Sequence, residues 1–155
     1  MQNNKNKKKD IIIVSLLIVC IIAGAAVVAF QQTDYQKKEW TGIPVDTPKG
    51  TLFFSDEWSE YLDVQVDDTN DYSITFSGKY DKYQIKLFTL TFGENEENTV
   101  LGIFQDGTCV SVKMYPLEIP EDIPEEKQDA FYAMQEEINN LNEQLQEMDG
   151  FQSEN

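Results

Sequence analysis

The side chains in this sequence whose type could do chemistry are mostly carboxylates. Two runs concentrate them: Asp67, Asp68, Asn70 and Asp71, and then Glu94, Asn95, Glu96, Glu97 and Asn98. Both offer the hard oxygen ligands that calcium takes, but neither has the Asp-x-Asp-x-Asp-Gly-x₅-Glu spacing of a calcium loop. Solvated turns are the plainer reading, and no metal ligand is assigned. Any two acids could be imagined as a glycosidase's acid and nucleophile, yet 28 acids in 155 residues produce such pairs by coincidence. Histidine is absent, which removes Ser-His-Asp and Cys-His nucleophiles, a His-bound zinc and an imidazole switch. There is no Gly-rich phosphate loop, Cys-x-x-Cys pair or Gly-x-Ser-x-Gly elbow. The chain therefore reads as a non-enzyme, with no catalytic residue, cofactor or metal.

The charge balance narrows the partners. All 12 cations are lysines, so the arginine fork that grips phosphate is missing, and the net charge is −16. Nucleic acid is excluded as a partner, because binding its phosphates needs a surplus of positive charge. Cys20 lies in an apolar run and Cys109 in the polar remainder, a placement that forms no disulfide within the chain.

The elements that must position these residues begin with an anchor. Lys5, Lys7, Lys8 and Lys9 precede an uncharged stretch from Ile11 to Phe30 in which Ser15 is the clearly polar side chain. Twenty residues at about 1.5 Å each cover roughly 30 Å, the hydrocarbon thickness of a bilayer. Residues 11–30 are expected to be a transmembrane helix in contact with lipid, because only helix satisfies every backbone group there. The lysine cluster makes residues 1–10 a cytoplasmic basic tail by the positive-inside bias, and places the rest outside at the cell membrane. A cleaved signal peptide has the same order of features, with small residues at Ala23-Gly24-Ala25, but its apolar core is about 7 to 15 residues, shorter than this one. Residues 31–50, with Gly42, Pro44, Pro48 and Gly50, read as a juxtamembrane tether. Within it, Trp40 suits either the lipid headgroups or the first packed position of the domain.

Residues 51–148 form the expected extracytoplasmic domain. Leu62, Val64 and Val66 alternate with polar residues, as do Tyr72, Ile74 and Phe76, which predicts half-buried antiparallel strands. In Tyr83 to Phe92 the phase slips: Tyr83, Ile85 and Leu87 hold one phase, and Phe88, Leu90 and Phe92 the other. That strand is expected to be central, and either contains a β-bulge near Leu87 or crosses from one packing partner to another. Asp106-Gly107 predicts a two-residue hairpin joining Val100–Phe104 to Val110–Met114. Ser55 is placed as the N-cap of one helical turn.

Pro116, Pro120 and Pro124 end the sheet, and a single helix should follow, with Pro124 at its start and Gly150 as its stop. Its apolar seam is Phe131, Met134, Ile138, Leu141, Leu145 and Met148, spaced as a heptad. The seam could be a contact with another chain, but Gln135, Glu137, Asn142 and Gln144 supply no flanking lysine for a coiled coil. The favoured placement is across the domain's own sheet, which needs a cover. Residues 149–155 are expected to be a disordered tail.

The segments Thr51-Leu52-Phe53-Phe54-Ser55-Asp56-Glu57-Trp58, Phe88-Thr89-Leu90-Thr91-Phe92-Gly93 and Tyr132-Ala133-Met134-Gln135-Glu136-Glu137-Ile138 resemble those of small, uncharacterised membrane-anchored extracytoplasmic proteins of Gram-positive anaerobic bacteria. The resemblance spans roughly residues 47 to 145 and implies location and fold, not activity. A looser similarity is to the Mog1/PsbP-like fold. The expectation is thus α+β: an N-terminal transmembrane helix, then an antiparallel β-sheet of about 5–6 strands covered by one C-terminal amphipathic helix. The function expected is a single-pass, membrane-anchored binding module without catalytic activity, its partner an envelope protein or other envelope component. The alternative is an accessory subunit of a cell-envelope complex, acting through the transmembrane helix or the heptad seam.

Overall fold

Alternation in the sequence becomes strands wherever one face finds a cover. In the computed structural model, which describes residues 38–93 and 97–154, these strands are β1 (Ile43–Thr47), β2 (Gly50–Phe54), β3 (Leu62–Asp67), β4 (Tyr72–Tyr80), β5 (Tyr83–Phe92), β6 (Thr99–Phe104), β7 (Cys109–Met114) and β8 (Phe151–Ser153). The helices are α1 (Glu125–Glu136) and α2 (Ile138–Gln146). The basic tail 1–10, the anchor stretch 11–30 and residues 31–37 of the tether lie outside the described residues. Among the described residues no helix is long and apolar enough to cross a membrane.

Six strands form one antiparallel sheet in the order β3-β4-β5-β7-β6-β8, while β1 and β2 make a separate hairpin. β1 falls in the stretch expected to be tether; it pairs with β2 alone, so Pro44 sits in an edge strand where a missing N–H is tolerated. Ser55 precedes a 3₁₀ turn, Asp56–Trp58, but its side chain makes no capping bond.

β5 is interior, paired with β4 and β7. Phe76 pairs with Phe88 and Ser77 with Lys86, so Leu87 is the extra residue of a bulge at the place where the phase slips. The bulge lets both Leu87 and Phe88 turn inward, and neither has exposed surface. The Leu87 carbonyl, displaced from the β4–β5 ladder, accepts from the Tyr115 N–H at 3.1 Å and from Gln135 Nε2 of α1 at 2.9 Å.

The core lies on one face of the sheet. Phe54 of the hairpin stacks on Phe76 at 5.5 Å, and Phe76 on Phe88 at 4.8 Å. α1 packs beside β5 and α2 beside β2 and β8, so the hairpin and the helices together form the second layer. Gly78 is required there, because a Cβ would lie 2.3 Å from the Phe131 ring.

Three expectations are corrected. The single helix is two, broken at Glu137, because its stripe serves two surfaces: Phe131 and Met134 face the sheet, whereas Leu141 and Leu145 reach the hairpin side. Residues 151–153, expected in a disordered tail, form β8 on β6; Gly150 at φ 82 turns the chain, and the Phe151 ring meets Phe104 edge-on at 5.1 Å. The Asp106-Gly107 turn is also longer than two residues, because only Gly107 takes a positive φ. Its N–H donates to the Phe104 carbonyl at 2.8 Å, and the Phe104 N–H donates to Thr108 at 2.9 Å, which is a type I turn with a bulge. The two-residue hairpin turn is instead Asp81-Lys82, between paired Tyr80 and Tyr83.

Candidate functional site

The face of the sheet away from the helices carries the polar half of each alternation. Residues opposite one another in the register share a face, so Ser73 and Thr91, Thr75 and Thr89, Thr91 and Ser111, and Thr89 and Lys113 all point to this side. Their hydroxyls form a chain: Thr75 Oγ1 to Thr89 Oγ1 is 2.8 Å, and Thr89 Oγ1 to the Tyr115 hydroxyl is 3.2 Å. Short side chains leave a low floor between higher walls, which makes a groove of about 280 Å³.

Two loops raise the walls. The β3–β4 loop is tightened by Asp67, whose Oδ1 accepts from the Thr69 hydroxyl at 2.7 Å and the Thr69 N–H at 3.0 Å. The same two bonds, the hydroxyl first, hold the Asp67 carboxyl below its ordinary pKa. At the end of β5 the Gly93 N–H donates to the Cys109 carbonyl, at the start of β7, at 2.9 Å. Beyond it, Asn98 Nδ2 donates to Ser111 Oγ at 3.4 Å, and Ser111 is fully buried beneath. Asp67, Asp71 and Glu97 line the groove together with Lys113 and Tyr115. The Lys86 and Lys113 ammonium groups stand 5.6 and 5.8 Å from the Tyr115 ring centre.

Comparison with protein-family models, curated proteins and solved structures finds no match for this chain. The chemistry is therefore read from the groove alone. Hydroxyls, amides, carboxylates and one ammonium line it, a set suited to a small hydrophilic ligand. Asp67 shifts in the direction that weakens it as a proton acceptor, so it is poorly suited to general base work. Among the described residues no three acid or thiol side chains converge in a way that could hold a metal ion. Asp67 and Asp71 of the first acidic run line the groove whereas Asp68 does not; Glu97 and Asn98 of the second do, and Glu94, Asn95 and Glu96 lie outside the described residues.

The seam residues are elsewhere. Phe131, Met134, Leu141 and Leu145 are each at most 2% exposed in the core, and Ile138 and Met148 pack against it. Trp40 is joined to the domain through Nε1, which donates to Glu147 Oε2 at 2.7 Å. Gln144, at the flank of the seam, is buried to 4% exposure: its Oε1 accepts from the Phe53 N–H and its Nε2 donates to the Phe53 carbonyl, each at 2.7 Å. The carboxamide thereby acts as a further strand on the free edge of β2. Sequence reasoning missed the groove residues Ser73, Thr89, Thr91, Lys113 and Tyr115. The signal is the polar phase of the alternating runs, which by itself reads as a solvated face.

Proposed function

We propose that this chain is a non-catalytic binding module, held at the cell membrane by residues 11–30, that takes a ligand on the uncovered face of its sheet outside the cytoplasm. The observation that carries the reading is the hydroxyl-lined groove: an antiparallel sheet needs cover on one face only, and here the other is shaped by two loops into a cavity. The lysine-led apolar run supports the anchored placement, as does the resemblance of Thr51–Trp58 and its companion segments to small anchored envelope proteins. The acidic composition agrees with a domain kept soluble beside a membrane.

The test is photo-crosslinking in intact cells producing the full-length chain. A crosslinker at position 73, in the groove, should capture an extracytoplasmic component, whereas one at Tyr132, which is 52% exposed on the helical side, should not. No product at position 73, or the same product from both positions, would refute the reading.

A further inference from the structure

Of the four free strand edges among the described residues, three are blunted. The β2 edge is filled at Phe53 by the Gln144 carboxamide, through bonds of 2.7 Å to the Phe53 N–H and carbonyl. β1 carries Pro44, which has no N–H to offer, and its Asp46 carbonyl accepts from the Tyr72 hydroxyl at 3.0 Å. β8, at one end of the six-stranded sheet, is three residues long. β3, at the other end, is six residues long, pairs with β4 alone, and contains no proline, lysine or bulge.

Every second residue of an edge strand turns its N–H and C=O away from the ladder. Among the described residues no main-chain group of β3 bonds outside its ladder with β4, and Gln65, Val66 and Asp67 are exposed. Asp63, Gln65 and Asp67 share the outer face with Ser77, Thr75 and Ser73, whereas Val64 and Val66 share the core face with Phe76 and Ile74. Val66 is 52% exposed although Ile74 opposite it has no exposed surface, so the core face ends at this edge in an uncovered apolar side chain. Asp63 meets Lys79 at 3.1 Å, but no described lysine lies within 4.0 Å of Asp67.

A strand that fits this edge supplies main-chain hydrogen bonds, cations beside Asp63 and Asp67, and β-branched apolar residues beside Val64 and Val66. A second copy of β3 does not. Paired about Gln65 it sets Asp63 against Asp67 twice, and in any register it joins two edges of a chain with net charge −16. We propose that β3 receives an extended segment of another protein as an added strand, with lysine or arginine on the outer face and valine-like residues on the core face. The contact runs along the edge of the sheet, apart from the hydroxyl floor of the groove.

The experiment is titration of the full-length chain in neutral detergent micelles with the peptide acetyl-Lys-Val-Lys-Val-Lys-Val-amide, followed by NMR. The peptide should shift the amide signals of Leu62–Asp67 and slow their exchange with solvent, while leaving those of Phe151–Ser153 in place. The same peptide with glutamate for lysine should bind about ten-fold more weakly or worse. Two N-methylated forms, one methylated on every lysine and one on every valine, keep the charge and the side chains. One of them blocks the hydrogen bonds that face β3 and should lose about ten-fold in affinity, and the other should bind like the parent. Val66→Lys, at an exposed side chain, should weaken the lysine peptide by about ten-fold. Undiminished binding of both N-methylated forms, equal binding of the glutamate peptide, shifts confined to another surface, or no binding at all would overturn the proposal. So would dimerisation of the chain alone with protection of the β3 amides, which would make the occupant a second copy.

Discussion

On the inner face of β4 and β5, Ile74, Phe76, Phe88 and Leu90 have no exposed surface, while their sequence neighbours Ser73, Thr75 and Thr89 stand half-buried on the other side. The same backbone ladder supports both faces. The inner one meets helices and hairpin and fixes stability through contact area, whereas the outer one meets loops, which bury Thr91 and Ser111 and leave Ser73, Thr75 and Thr89 half-buried. The contrast teaches that one strand can carry the fold on one set of positions and a ligand on the next, with little energetic traffic between them.

The comparison breaks if inner and outer substitutions cost alike. Phe76→Ala, in the middle of the Phe54–Phe76–Phe88 stack, is expected to lose about 3–5 kcal/mol by chemical denaturation. Next in size is Gln144→Leu, which strips the half-buried Phe53 N–H and carbonyl of their partners and should cost about 1–3 kcal/mol. Gly78→Ala should cost about 1–3 kcal/mol, because the new methyl meets the Phe131 ring; a further Phe131→Leu change should recover part of it. On the outer face, Thr89→Val removes hydroxyl contacts with Thr75 and Tyr115 and should change stability by about 1 kcal/mol or less, while altering ligand binding in the groove.

The smallest effect is at the turn between β6 and β7. A hydrogen bond from Lys49, and then those from Thr108, hold the Asp106 carboxyl at about 2 against an ordinary 3.8. Its contribution to stability is complete above pH 3.8 and is lost as pH falls through about 2. Asp106→Asn should therefore flatten the fall in urea midpoint between about pH 4 and pH 2 relative to the native chain, and leave the midpoint at pH 2 nearly unchanged.

Several elements were legible before any tertiary contact was known. The phase slip at Leu87 marked where the strand changes face, since adding one residue to a strand reverses every side chain beyond it; the pairing of Phe76 with Phe88 and Ser77 with Lys86 makes it a bulge and not a crossing between packing partners. The pairing of β6 with β7 followed from two alternating runs around a turn, although the turn itself was misread: Asp106 keeps a negative φ, and Gly107 alone bends the chain. Asp81 adopts φ 51 without a glycine neighbour to announce it. The heptad spacing revealed which side of α1 and α2 is apolar but not the break at Glu137, which reflects the different surfaces beneath each half. A three-residue strand at Phe151–Ser153 carries too few residues to display a period, and it exists because β6 offers an unpaired edge.

The order of side chains along the chain determined the period-two segments, their inward faces, the phase slip at Leu87 and the lysine-led apolar run, because each follows from covalent neighbours and the geometry of a single strand or helix. Tertiary structure decided which face would stay uncovered, that two loops would wall it, and that Gln144 would complete the edge of β2 at Phe53, 91 residues away. Those outcomes depend on residues that meet only after the sheet has paired, where shape and unsatisfied backbone groups select the partner.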